Sequence, residues 1–180
     1  MVDWSVESLA FSRVLYRALG QRGRFCQADI TGPLPFASGS YDLVFSCGVF
    51  EYFTTSQIEA ILKEMFRIST TRVVVMVPNA LSLPYRLGKW YLEKTGNWPW
   101  GGEVPSYSLR RLFRSAGSAK TEEFSVAARH SLNFLTMPFG DRIRKALTPV
   151  FTRSGESRPA VLRQGYLLVT IGQKETAALR

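Results

Sequence analysis

The sequence predicts an α/β fold, a mostly parallel sheet wound with helices on both faces. Short runs rich in β-branched and aromatic residues (Phe25 to Ile30, Tyr41 to Ser46, Val73 to Val77) alternate with two segments whose apolar side chains recur at helical spacing. The connections between them are long enough for right-handed crossovers. With 180 residues, 46% of them hydrophobic, the chain can enclose one sizeable core, so a single domain is the simplest organisation.

Residues 6 to 19 place Phe11, Val14, Leu15, Ala18 and Leu19 on one helix face, with Ser5 positioned to cap the start and Gly20 and Gly23 to end it. Phe25 to Ile30 follows as a strand, and Gly32, Pro33 and Pro35 then force a loop. Tyr41 to Ser46 reads as a strand buried on both faces, which implies a parallel sheet. Ser56 and Glu59 have the spacing of a capping box, ahead of a stripe made by Ile58, Ile61, Leu62, Met65 and Phe66. Val73 to Val77 is a further buried strand, stopped by Pro78.

Beyond Leu81 the composition changes. Trp90, Trp98 and Trp100 crowd with Tyr85, Tyr91 and Tyr107 among glycines and prolines, so 81–107 reads as an aromatic lid, with a packed aromatic mini-core as the bland alternative. Ser108 is placed to cap a short helix carrying Leu109, Leu112 and Phe113, which Gly117 ends. Glu122 to Ala128 and Gly165 to Gly172 read as two last strands, the final one antiparallel. The stretch 131–164 between them is a basic insertion, helical around Arg142 to Leu147 and mobile near Ser154-Gly155.

Charge is divided unevenly. Residues 1–80 hold seven basic and seven acidic side chains, whereas 81–180 hold sixteen against seven, so the second half carries the whole net charge of +9. That favours an anionic partner or simply a solvated basic face. The basic residues are dispersed and no base- or backbone-reading motif accompanies them, so no specific nucleic-acid partner is expected. No apolar run approaches the roughly 20 residues of a membrane span, and the amino terminus lacks a basic region followed by an apolar stretch; the expectation is a soluble cytoplasmic protein. Cys26 and Cys47 lie in or at the end of apolar strands and read as reduced, packed thiols. One histidine and no Cys-x-x-Cys pair argue against a metal site.

Five stretches taken together resemble one family: Ala28-Asp29-Ile30, Leu34-Pro35-Phe36, Ser40-Tyr41-Asp42-Leu43-Val44-Phe45-Ser46, Val49-Phe50-Glu51-Tyr52-Phe53 and Glu64-Met65-Phe66-Arg67-Ile68. They are similar to the class I S-adenosylmethionine-dependent methyltransferases, in the group that reads acid, Leu-Pro-Phe, then Tyr/Phe-Asp-x-Val. The similarity runs from Val2 to about Asn79. It implies a Rossmann-like fold, S-adenosyl-L-methionine as cofactor, and methyl transfer to a small-molecule or anionic acceptor.

The resemblance also implies site residues. Asp3 would take the ribose hydroxyls and Trp4 the adenine face; Asp29 would take the adenine amino group and the Ile30 amide a ring nitrogen. Ser46, Cys47 and Gly48 would admit the methionine half. Both acids have a structural alternative, as turn or helix-start residues. Glu51-Tyr52 replaces the Glu-His often seen in the family, so Glu51 or Tyr52 is the candidate proton acceptor, with distant His130 more simply exposed or structural. Glu64 and Arg67 read as a local ion pair.

The resemblance breaks off at the front. The family begins with a central strand and a glycine-rich loop, and neither is found here: Gly20-Gln21-Arg22-Gly23 lies between a helix and a strand, the wrong setting for a cofactor loop. The expectation is therefore the carboxyl-terminal portion of a methyltransferase domain, impaired when alone. A non-catalytic module holding an anion or a partner is the competing reading. A nicotinamide-dependent dehydrogenase is disfavoured because Tyr85-Arg86-Leu87-Gly88-Lys89 misses the Tyr-x-x-x-Lys spacing by one residue.

Overall fold

A computed structural model describes residues 1–153 and 164–175. The chain opens with β1 (Val2–Asp3) and α1 (Val6–Ala18), where the Ser5 hydroxyl accepts the Ser8 N–H at 3.1 Å as the expected cap. β2 (Cys26–Gln27) lies parallel to β1, Val2 opposite Cys26 and Asp3 opposite Gln27. It is shorter than the expected Phe25 to Ile30 strand, because Asp29 folds the chain into a turn by accepting the Thr31 N–H at 2.8 Å.

β3 (Tyr41–Cys47), α2 (Thr55–Ile68) and β4 (Ser69–Pro78) form the central parallel unit, with Val44 opposite Val73 and Ser46 opposite Val75. The cap of α2 differs from expectation. Thr54, not Ser56, begins the helix: its hydroxyl accepts the Gln57 N–H at 3.4 Å while the Gln57 side chain accepts the Thr54 N–H at 2.9 Å. Glu59, freed from capping, pairs instead with Lys63 at 3.0 Å. Glu64 and Arg67 do form an ion pair, at 2.6 Å, and it does more than stabilise its helix. Glu64 accepts the Leu34 N–H at 2.7 Å and Arg67 donates to the Leu34 carbonyl at 3.1 Å, so the Leu34-Pro35-Phe36 turn is fastened to α2.

After β4 come α3 (Leu83–Lys94), α4 (Arg110–Ser115), β5 (Lys120–Val126), α5 (Ala128–Ser131), α6 (Gly140–Arg153) and β6 (Leu167–Gln173). The four larger strands run β3-β4-β6-β5, with β6 antiparallel to both neighbours; β1 and β2 make a separate pair. This is a Rossmann-like α/β fold with a mixed sheet and the expected antiparallel last strand. The helix expected around Arg142 to Leu147 is α6; the Ser154-Gly155 stretch lies outside the described residues. Within 81–107 the 12-residue α3 was not foreseen. It docks tightly on the 3-10 turn Leu132–Phe134, so closely that a Cβ on Gly88 would stand 1.9 Å from the Phe134 carbonyl oxygen. Among the described residues no helix is long and apolar enough to cross a membrane.

The core lies on one face of the four-stranded sheet. Val73, Val75 and Val77 of β4 meet Ile61, Leu62 and Phe66 of α2 and Phe113 of α4, and the Phe66 and Phe113 rings pack edge to face with centroids 5.8 Å apart. The opposite face is open over β3. Leu43 and Phe45 are 52% and 65% exposed, which corrects the expectation that β3 is buried on both faces. α1 packs against β1 and β2 and leaves Phe11, Val14 and Leu19 in solvent. Between the two sheets, the outer edge of β3 has no strand beside it among the described residues.

Because β3 is packed on one face only, stability should depend mainly on that face. Phe113→Ala is expected to cost about 3–5 kcal/mol, whereas Phe45→Ser changes stability by about 0.5 kcal/mol or less. Urea unfolding of both variants checks this, and a comparable loss at Phe45 would mean the open face is covered in solution.

Candidate active site

The residues expected to hold a nucleoside stand at the ends of the small parallel pair. Asp3 closes β1 and accepts the Ser5 N–H on Oδ1 at 2.9 Å; Asp29, two residues beyond β2, accepts both the backbone N–H and the hydroxyl of Thr31 on Oδ1 at 2.8 Å. The backbone between them is locked, with the Ala28 N–H donating to the Asp3 carbonyl at 3.1 Å. Those hydrogen bonds from Thr31 hold the Asp29 carboxyl below the ordinary range. Trp4 is 77% exposed beside Asp3, and Ile30 is half-buried against the core. One oxygen of each acid thus serves a local turn, the structural role weighed for both.

A second centre is a cleft of about 680 Å³ at the carboxyl ends of β3 and β4. Gly48 takes φ +69°, a left-handed conformation that turns the chain from β3 into the 3-10 turn Phe50–Tyr52. That turn buries Phe50 and Glu51 and sets Tyr52 on the rim, where its hydroxyl donates to the Trp100 carbonyl at 3.1 Å. Residues 101–106 are tied to the sheet: the Ser106 N–H reaches the Pro78 carbonyl at 2.9 Å, and the Val104 N–H reaches the Glu51 carbonyl at 2.8 Å. This brings Glu103 inside, where the buried Tyr85 hydroxyl donates to it.

Aromatic rings complete the walls. Trp98 and Trp100 have centroids 4.8 Å apart, and Phe134 lies 5.0 Å from Tyr85 and 5.4 Å from Tyr166. Part of the 81–107 segment is therefore packed, while Trp90 and Tyr107 remain exposed. Of the sequence candidates, the fold brings Cys47, Gly48, Glu51, Tyr52 and His130 to this cleft, whereas Asp3, Trp4, Asp29, Ile30 and Ser46 do not line it.

Two buried acids set the electrostatics. Glu51 and Glu103 are only 5% and 8% exposed, and burial, reinforced by the charge of Glu103 against one backbone hydrogen bond, pushes the Glu51 carboxyl up. The Oε2 of Glu51 is buried with no hydrogen-bond partner. Burial and then the two nearby carboxylates raise the Tyr52 phenol, and burial with the hydrogen bond to Glu103 holds the Tyr85 hydroxyl far above its ordinary value. Cys47 is exposed as a residue rather than packed as expected, because β3 has no covering layer; its thiol is pushed up by partial burial and by Glu51. Glu103 was not singled out from sequence, although it is the lone acid in the aromatic stretch Trp98 to Tyr107. Among the described residues no group of three or more His, Cys, Asp and Glu side chains is placed to hold a metal ion.

Residues 1–71 match a family described as methyltransferase domain. No curated protein sequence matches the chain. Solved structures do resemble it in fold. An S-adenosylmethionine-dependent methyltransferase from Thermotoga maritima superposes with a TM-score of 0.61 at 17% identity, covering 97% of this chain and 72% of that one. A magnesium protoporphyrin IX methyltransferase from Synechocystis with bound S-adenosylhomocysteine gives 0.56 at 15%, covering 97% and 62%. An S-adenosylmethionine-dependent methyltransferase from Archaeoglobus fulgidus gives 0.59 at 16%, covering 96% and 74%. Sequence match and fold agree: the chain carries the class I S-adenosylmethionine-dependent methyltransferase fold.

If Glu51 raises the Cys47 thiol through space, removing its charge should release it. In a Cys26→Ser background, Glu51→Gln is expected to lower the Cys47 pKa and speed alkylation by iodoacetamide at pH 8 by about two- to fivefold. An unchanged rate profile would separate the two groups electrostatically.

Proposed function

We propose that this chain is the carboxyl-terminal portion of a methyltransferase domain that transfers a methyl group from S-adenosyl-L-methionine to a small-molecule acceptor, its sheet completed by a further strand between β1 and β3. The observation carrying the reading is the methyltransferase-domain match over 1–71 on a backbone that puts Asp3 and Asp29 at the ends of adjacent parallel strands. Ligands in open α/β sheets collect at such strand ends.

The residues present fit the nucleoside half of the cofactor. Trp4 offers an exposed indole beside Asp3, and the Asp29 side chain is fixed in direction by Thr31. Asp3 would hold the ribose, Trp4 the adenine face, Asp29 the amino group and the Ile30 amide a ring nitrogen, while Ser46, Cys47 and Gly48 would border the methionine half. When bound, S-adenosylmethionine supplies a methyl group already activated on sulfonium sulfur. What remains for the chain is to align the acceptor, exclude water and receive a proton. Glu51 is better suited to that last task than Tyr52: a carboxyl with a raised pKa remains a usable base near neutrality, and a phenol with a raised pKa stays protonated. The competing reading, an anion-holding module, finds no Lys or Arg lining the cleft among the described residues.

Titration calorimetry with S-adenosylmethionine tests this. The 180-residue chain alone is expected to show no micromolar binding, and the same chain joined to an apolar strand and glycine-rich loop to bind, with Asp29→Ala weakening it about tenfold, or ~1.4 kcal/mol. Micromolar binding by the chain alone would contradict the incomplete sheet, and no binding by the joined chain would contradict methyl transfer.

A further inference from the structure

The cleft's composition is at odds with the charge of the molecule around it. The protein carries +9, yet the titratable side chains lining the cleft are two buried acids, one histidine, one thiol and phenols, without a Lys or Arg among the described residues. Glu51 and Glu103 are each more than nine-tenths buried and close enough for the charge of one to be felt by the other. One of the four carboxylate oxygens, Glu51 Oε2, lacks any hydrogen-bond donor. A buried carboxylate oxygen without a donor is costly, about 1–3 kcal/mol and more when charged. Among the described residues no donor reaches it, and the indole N–H of Trp98 in the same cleft is likewise buried without a partner, so a guest that donates to Glu51 supplies the costlier of the two missing contacts.

The rings point to the same kind of guest. Trp98, Trp100, Phe134 and Tyr166 present faces and edges around the acids, and aromatic faces attract cations through their quadrupoles. This cluster already holds one ammonium: Lys89 Nζ stands 4.6 Å from the Trp98 centroid, while its charge is paired with Glu93 rather than with Glu51 or Glu103. An anionic guest would face two carboxylates, while the ammonium at Trp98, Lys89, is already paired with Glu93; a neutral alcohol would leave the mutual repulsion of the acids in place.

We propose that the cleft between Glu51, Glu103 and the Trp98-Trp100-Phe134 rings binds a small protonated amine with a flat apolar body, and that this amine is the methyl acceptor. The inference rests on the methyl-transfer reading only for its second half. Cys47 and Gly48, at the end of β3, border the same cleft as Glu51, so the amine sits beside the place assigned to the methionine half. Methylation of such an amine forms an N–CH3 bond as the sulfonium S–CH3 bond breaks and the sulfur keeps the electron pair. The ammonium must first lose a proton to expose its lone pair, and the Glu51 carboxylate takes it.

The test uses three probes of one shape and different charge, 2-phenylethylamine, 2-phenylethanol and 3-phenylpropanoate, titrated into the 180-residue chain at pH 7 with indole fluorescence as the readout. The amine is expected to bind at least tenfold tighter than the alcohol, with the acid weakest, and Glu51→Gln to reduce the amine preference at least fivefold. Equal binding of the three, tighter binding of the acid, or absence of binding by all would overturn the proposal, and these outcomes need no folding of a variant. The titration contains no cofactor, so its result is independent of S-adenosylmethionine binding. Amine selectivity without methylation by the completed protein would leave the cation site standing and remove its role as acceptor site.

Discussion

A strand edge with no strand beside it among the described residues governs this structure. β3 pairs with β4 on one side, and among the described residues no strand pairs with its other side. Water can satisfy the outward amides while that edge is open, so the cost is not chiefly one of missing hydrogen bonds. It lies in apolar side chains left in solvent: Leu43 and Phe45 on the sheet, Phe11, Val14 and Leu19 on α1. Burying a leucine or phenylalanine fully is worth roughly 1.5–3 kcal/mol, so covering even part of this surface competes with the whole stability of a domain, about 5–15 kcal/mol. A strand added at that edge, with a helix over the open face, would meet both needs, the edge and the surface.

The cleft depends on the other half of the molecule. Its walls come from the β3 to α2 turn, from α3, from residues 98–103 and from the turn Leu132–Phe134, and all of these are anchored on β4 and β6 or on each other. Hydrogen bonds from Ser106 to Pro78 and from Val104 to Glu51 fix the aromatic stretch to the sheet without help from β1 or β2. The cleft is thus built independently of the small β1-β2 pair.

Much of this was legible in the sequence where local chemistry dictates local structure. The stripe of Ile58, Ile61, Leu62, Met65 and Phe66 announced α2, and the Glu64 and Arg67 pair was visible from its spacing, although not that it would hold Leu34. The capping box was misassigned because Thr54/Gln57 and Ser56/Glu59 have the same spacing, and only the position of Phe53 and the turn before it selects the first. α3 was hidden because its buried face is Pro84, Tyr85, Gly88 and Lys89. Those residues carry no apolar periodicity, and a buried lysine becomes tolerable only through Glu93 and Trp98, partners chosen by the fold. The exposure of β3 was illegible for the opposite reason: its apolar run reads as a doubly buried strand, and residue pattern alone says nothing of whether a covering layer is present.

Hydrogen exchange along β3 and β4 addresses the open edge most directly. In a strand paired on one side, alternate amides point away from the partner, so about half of those in Tyr41 to Cys47 should exchange orders of magnitude faster than the amides of Val73 to Val77. Uniform protection of β3 at the level of β4 would mean that its outer edge is already occupied, and the account of an open-edged sheet would be wrong.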